Sequence, residues 1–339
     1  MSCDAGACTP IALLGFEKLM KLIPIIAAVL GLATTAALVG YFGAGAVIRS
    51  LRAIGWAGFL AICLIHLGVT SLEGIAWRLL VPGARVWALI WGRFIRDAGS
   101  EVLPVSQMGG CVLGARAVAL TGVPGSVAAA TTMVDLTLEF LAKLAYMAIG
   151  LILLVNFRPG MPVALPVTFG FAASGLFAII FVLLQRRGFA IFDRFAWMLG
   201  RGWAERTISG MAAVNAALAG TYRRSASLRG GFALHLACWV LSAVEVWIAL
   251  YLAGAPLGFP IVLVIESLVY ALRTVAFAIP NAVGVQEGAY VLIGAAFGLT
   301  PEMALAISLL KRARDIVIGL PALATWQIAE SGRLWRKSA

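Results

Sequence analysis

The chain has 339 residues, of which 62% are hydrophobic and only 12% charged. Soluble globular domains carry roughly 25% charged residues, so a water-soluble enzyme or carrier is excluded and a membrane-embedded chain is implied. Its net charge of +11 would suggest nucleic acid in a soluble protein; in a membrane chain it reads as basic cytoplasmic loops, and no nucleic-acid partner is expected.

Residues 1–21 form a polar tail ending in Glu17, Lys18 and Lys21, expected in the cytoplasm. The apolar runs Leu22–Phe42 and Pro162–Leu184 have the roughly 20 residues a helix needs to cross hydrocarbon. No ten-residue alternation of the kind barrel strands show is present, so backbone satisfaction in lipid requires helices. Residues 22–54 are expected as a first span and loop. Residues 55–155 form a first repeat: a helix, an apolar hairpin at 86–120 broken by glycine and proline, and a long helix. Residues 156–184 hold a further span. The segment 185–229 carries eight arginines against Asp193 and Glu205 and is placed in the cytoplasm. Its interleaved Phe189, Ile191, Phe192, Phe195, Trp197 and Met198 suit amphipathic helices on the inner leaflet, or a helical loop packed on its own protein. Residues 230–326 form a second repeat with a broken hairpin at 259–299, and the basic tail 327–339 returns to the cytoplasm.

The repeat is visible as matched landmarks. Arg96 and Arg273 are 177 residues apart, Pro104 and Pro280 are 176, and Pro124 and Pro301 are 177. His66, Ser71, Glu73 and Trp77 are echoed by His235, Ser242, Glu245 and Trp247 at separations of 169 to 172. Counting spans from the cytoplasmic 185–229 segment makes the first hairpin enter from the cytoplasm and the second from the outside. The expected fold is thus an all-α polytopic membrane protein with about six full spans and two re-entrant hairpins in an inverted repeat. Such repeats with interrupted helices mark secondary transporters. Arg49 and Arg52 then fall in an outside loop, against the charge rule; counting each broken segment as a full crossing is the alternative.

A charge at the bilayer centre costs about 2.5–3.5 kcal/mol on insertion scales, so charges within the apolar segments nominate the site. The first hairpin offers Arg96, Asp97, Glu101, Gln107 and Arg116, and the next helix Asp135 and Glu139. The second half offers Arg273, Asn281, Gln286, Glu287, Arg312, Arg314 and Asp315. Glu139 could instead pair with Lys143, and Arg312 with Asp315, along one helix face. Arg96, Arg273, Arg312 and Arg314 suit bidentate contact with phosphate or carboxylate. Pro104, Gly109, Gly110, Pro280 and Gly284 permit the hairpin breaks. His66 and His235 can titrate near neutral pH and are candidate proton sites, or packing residues.

The five cysteines have no metal or redox spacing, and no nucleotide loop, paired-histidine zinc motif or nucleophile elbow is found. No metal, cofactor or catalytic residue is expected. The patch Gly40-Tyr-Phe-Gly-Ala-Gly45 could support a homo-oligomer.

Two motifs carry a family resemblance. One is Arg96-Asp97…Leu103-Pro104…Gly109-Gly110…Gly114-Ala115-Arg116…Gly122-Val-Pro124…Val134-Asp135-Leu136…Glu139; the other is Ile279-Pro280…Gly284-Val-Gln286-Glu287-Gly288…Leu310-Lys311-Arg312-Ala313-Arg314-Asp315. Over about residues 20–330 the chain resembles the lysylphosphatidylglycerol synthase transmembrane (flippase) family, and within it the membrane proteins associated with hopanoid biosynthesis in Gram-negative bacteria. The resemblance implies a bacterial inner-membrane protein that moves a polar-headed lipid, such as a hopanoid or glycolipid, between leaflets. The alternative is a non-catalytic membrane subunit partnering lipid biosynthetic enzymes. The chain ends at Ala339 with no room for the soluble aminoacyl-transfer domain of the best-known members, so synthase activity is not expected.

Overall fold

The computed structural model describes residues 33–102, 107–157, 201–276 and 280–338, together with residue 29 and scattered positions between 168 and 183. The expected tail 1–21, residues 185–200 and Pro104 lie outside the described residues, as does most of 156–184. Among the described residues there are helices, short connections and no strand. In chain order the helices are α1 (Ala33–Phe42), α2 (Ala44–Leu80), α3 (Val86–Glu101), α4 (Gln107–Leu120), α5 (Gly125–Phe157), α6 (Arg201–Tyr222), α7 (Ser225–Leu252), α8 (Phe259–Val275), α9 (Val285–Ala296) and α10 (Pro301–Ser338).

The protein is an all-helical membrane protein: α2, α5 and α7 are each long and apolar enough to cross a bilayer. At 1.5 Å per residue, α3, α4, α8 and α9 reach only about 24, 21, 26 and 18 Å, short of a ~30 Å hydrocarbon core. They form two helical hairpins, α3 on α4 and α8 on α9. The second hairpin breaks where Asn281 (φ 50°), Ala282 (φ 46°) and Gly284 (φ 83°) all adopt left-handed backbone, which ends one helix and re-aims the next. Gly284 also opens α9: its N–H donates to Glu287 Oε2 at 2.7 Å, a first-turn carboxylate where helix starts favour negative charge.

Residues 43–54, expected as a loop, are helical from Ala44 onward. Val47, Leu51 and Ile54 recur at helical spacing and pack into the core, while Arg49 and Arg52 stay exposed. Gly55 (φ 65°, ψ −177°) then breaks this amphipathic arm from the rest of α2. The tail beyond 326 likewise continues α10 to Ser338. Of the basic 185–229 segment, α6 packs on α5 with Leu218 and Thr221 each 1% exposed, so this part lies against its own protein.

The halves are interlocked. Helix α2 crosses α7 at the centre; α5 packs on α7 and α8, as α10 packs on α2 and α3. Each half therefore lends its long last helix to the other. At the crossing, Cys238 Sγ lies 3.7 Å from the Val69 carbonyl.

Glycine sets the tightness of the first hairpin. A Cβ on Gly99 would come within 2.9 Å of Gly110 Cα, and one on Gly114 within 2.7 Å of Arg96 Cβ; Gly110 sits directly on Ser100 and the Arg96 carbonyl. Overpacking of this kind costs roughly 1–3 kcal/mol. Gly110→Val is expected to lower the thermal midpoint in detergent, read by a thiol-reactive dye on buried Cys63, Cys111 and Cys238; an unchanged midpoint would refute the close packing.

Candidate functional site

Charged side chains gather along the two hairpins and the helices that clasp them. In the first half, α3 places Arg93 and Arg96 on one face, buried at 3% and 4% exposure. Both point at α5, whose Asp135 and Glu139 lie one turn apart. Arg93 bonds Glu139 at 2.9 and 3.1 Å, Asp97 at 3.0 Å and Glu73 at 3.0 Å. Arg96 bonds Asp135 at 2.6 Å and also Glu139. His235 Nε2 reaches the other Asp135 oxygen at 2.9 Å from α7, so a second-half residue completes a first-half cluster.

The second half reverses the signs, with acids on α7, α8 and α9 and cations on α10. Lys311 bonds Glu266 at 2.6 Å and the Tyr290 hydroxyl at 3.0 Å, and Tyr290 donates to Glu266. Arg312 bonds Glu287 at 2.6 and 3.2 Å. Ser308 bridges Glu287 at 3.0 Å to Gln286 at 2.8 Å. Arg314 bonds Glu245, and Asp315 at 2.7 and 3.0 Å; His66 Nδ1 meets Glu245 at 3.1 Å.

Between these clusters the hairpin breaks meet. Asn281 Nδ2 donates to the Glu101 carbonyl at 2.8 Å, and Arg273 joins the Glu101 carboxylate at 3.1 Å to Asn281 Oδ1 at 3.0 Å. The end of α3 is thereby tied to the break of the second hairpin. Beside this junction lies a cleft between α2, α3 and α10, lined by His66, Thr70, Phe94, Asp97, Glu101 and Asp315, with Gly319 at its edge. Its polar lining is acidic; among the described residues no arginine or lysine lines it. The cations sit behind, each on one side of a carboxylate: Arg93 behind Asp97, Arg273 behind Glu101 and Arg314 behind Asp315. Asp97 Oδ1 and Asp315 Oδ2 have no hydrogen bond among the described residues.

Most of the sequence-nominated residues therefore converge, but in a different arrangement from the one expected. Glu139 pairs with Arg93 and Arg96 instead of Lys143, whose ammonium lies 4.9 Å over the Trp239 ring. Arg312 pairs with Glu287, and Asp315 with its neighbour Arg314. Arg96, Arg273, Arg312 and Arg314, the nominated headgroup ligands, are each held by a carboxylate. Arg116 stands apart, on the outer face of α4 and bonded to Glu330 at 2.6 Å. Gln107 opens α4; Pro280 begins the break and Gly109 lies in the first turn of α4. Sequence reasoning omitted Arg93, Glu73, Glu245, Glu266 and Lys311 from the site. The signal was available in Arg93, Arg96 and Asp97, spaced at three and four residues on an apolar helix; Thr70, Phe94 and Gly319 carried none.

The sequence profile of the lysylphosphatidylglycerol synthase TM region matches residues 26–322. The chain belongs to that family. No curated protein and no solved structure matches it. Membership of the lysylphosphatidylglycerol synthase TM family makes it a membrane protein tied to lipid handling; the narrower likeness to hopanoid-associated proteins stands on the sequence motifs alone.

Removing one member of a buried ion pair strands the other, at roughly 3–5 kcal/mol. Arg312→Met, which leaves Glu287 (0% exposed) without its cation, is expected to lose folded protein in detergent chromatography, and adding Glu287→Gln to restore part of it. Equal loss in the single and double variants would show that the pair does not hold the hairpin.

Proposed function

We propose that this protein moves a polar-headed lipid between bilayer leaflets, binding the headgroup in the acidic cleft beside the hairpin junction. The observation that carries the reading is the cleft itself, with acceptors in front and cations behind. An ionised carboxylate offers only acceptor positions. Asp97 Oδ1 and Asp315 Oδ2 therefore suit a headgroup that brings donors, ammonium or hydroxyl. The family takes its name from lysylphosphatidylglycerol, whose headgroup carries ammonium groups; a glycolipid or polyhydroxylated hopanoid would bring hydroxyls. A bare phosphate would meet carboxylates first, since every nearby arginine is already engaged.

The architecture supports movement in place of static binding. The four short helices fit re-entrant hairpins whose breaks meet inside the protein, and sites at the interface of interrupted helices in inverted repeats are a transporter arrangement. Orientation follows from charge: Arg78, Arg85, Arg223, Arg224 and Arg229 lie at the α2–α3 and α6–α7 turns, which Arg224 ties together through the Leu80 carbonyl at 2.8 Å. We assign that end, and the carboxyl terminus, to the cytoplasmic side of the inner membrane.

The test is transport by the pure protein in vesicles carrying an aminolipid, with a membrane-impermeant amine reagent reading the outer leaflet. Protein-containing vesicles are expected to expose the inner-leaflet amines that protein-free vesicles protect. Asp97→Asn is the informative variant, because Arg93 keeps Glu73, Asp135 and Glu139 as partners. A charge-assisted hydrogen bond is worth roughly 1.5–3 kcal/mol, so the variant should slow aminolipid movement about tenfold or more. Rates equal to protein-free vesicles would sink the transport reading and favour a subunit of a biosynthetic complex.

A further inference from the structure

The end assigned to the cytoplasm carries cations that the acidic cleft does not use. Between Glu73 and Asp97, and again between Glu205 and Glu245, the sequence has no acid, yet Arg78, Arg85, Arg223, Arg224 and Arg229 stand in those intervals. Arg85, Arg223 and Arg229 are exposed. Arg78 and Arg224 are half-buried, and they hold successive carbonyls at the end of α2. Arg78 Nη1 donates to the Val81 carbonyl at 3.0 Å, and Arg224 Nη2 to the Leu80 carbonyl at 2.8 Å. Arg224 also reaches back along α6, from Nε to the Gly220 carbonyl at 3.3 Å and from Nη2 to the Thr221 hydroxyl at 3.2 Å.

The arginines around the cleft are neutralised; these two are not. All their hydrogen-bond partners are neutral oxygens, and neither has an ion pair among the described residues. Arg78 Nε and Arg224 Nη1 are shielded from water and have no hydrogen bond. A charged donor left in that state is costly, and it points to an acceptor that belongs there. The bond to Val81 takes one Nη of Arg78 and leaves its Nε–Nη2 edge unengaged. Through such an edge a guanidinium takes two oxygens of one phosphate. Held by a single hydrogen bond, the Arg78 group can turn to present it. Leu79, Val86 and Trp87 are exposed on the flanks of the same turn, and apolar surface beside arginines suits a lipid whose headgroup is anionic.

We propose that Arg78 and Arg224 form a phosphate site at the cytoplasmic end, separate from the acidic cleft, and that an anionic phospholipid of the inner leaflet supplies the phosphate. Exposed Arg85, Arg223 and Arg229 draw such lipids toward it. A phosphate bound there neutralises the tie between the α2–α3 turn of the first half and the start of α7 in the second. Free phosphate offers the same oxygens, so the two sources must be separated. Lipid movement through the cleft plays no part in the site or in its test.

The experiment titrates the purified full chain in detergent with phosphatidylglycerol, with diacylglycerol, which lacks the phosphate, and with inorganic phosphate. Binding is read from the rise in thermal midpoint with ligand concentration. Phosphatidylglycerol is expected to raise the midpoint, and diacylglycerol to leave it unchanged. Arg78→Gln should weaken phosphatidylglycerol binding about tenfold or more. Arg78→Lys keeps the charge and loses the two-donor edge, so it should weaken binding about three- to tenfold; it decides the matter if Arg78→Gln does not fold. An equal response to diacylglycerol would overturn the proposal, as would no response to any of the three ligands or binding unchanged in both variants. Inorganic phosphate binding more tightly than phosphatidylglycerol, with the same losses in the variants, would keep the site and overturn its lipid.

Discussion

The structure depends on one constraint: ionised side chains placed inside a bilayer must find their counter-charges within the protein. Arg93, Arg96, Asp135, Glu245, Glu266, Glu287, Lys311 and Arg314 are all buried, and each is engaged by an opposite charge at hydrogen-bond distance. This is why the broken hairpins have a fixed place. A helix of 12 or 16 residues is too short to cross the hydrocarbon, and backbone groups at its end that lipid cannot satisfy need partners from the protein. The junction at Glu101, Asn281 and Arg273 supplies partners for those groups and locks the two hairpins together.

The two halves solve the same problem with opposite signs. In the first, cations on the hairpin meet acids on the long helix; in the second, acids on the hairpin meet cations on the long helix. The surroundings of the two crossing helices are unequal, with an acidic cleft beside α2 and Trp239 packed between Tyr146 and Tyr270 on α7.

Much of this was legible in the sequence. Composition requires helices in lipid, and the paired prolines and arginines locate both hairpins to within a few residues. The amphipathic arm before Gly55 was not anticipated, because two arginines in eleven residues read as a loop. Its Val47, Leu51 and Ile54 stripe is short enough to be overlooked beside long apolar runs. At the site, spacing along one helix suggested Glu139 with Lys143 and Arg312 with Asp315. Glu139 and Arg312 instead take partners on other helices, Arg93 and Arg96 each reaching more than one carboxylate there, while Asp315 pairs with its neighbour Arg314. Nor could spacing show that the cleft is lined by Thr70, Phe94 and Gly319, which carry no charge to single them out.

The division of ion pairs within and between halves bears on biogenesis. A polytopic chain emerges from the ribosome in order, and helices leave the translocon before their later neighbours exist. Arg93 and Arg96 close on Asp135 and Glu139 within the first 157 residues, and Lys311 and Arg312 close on Glu266 and Glu287 within the second half. Each half can therefore partition into lipid nearly self-neutralised. The contacts that span the halves, Glu101 with Arg273, Glu245 with His66 and Asp135 with His235, form only once α7 and α8 have been made, so a chain cut before α7 would keep Glu101 and Asp135 each one partner short.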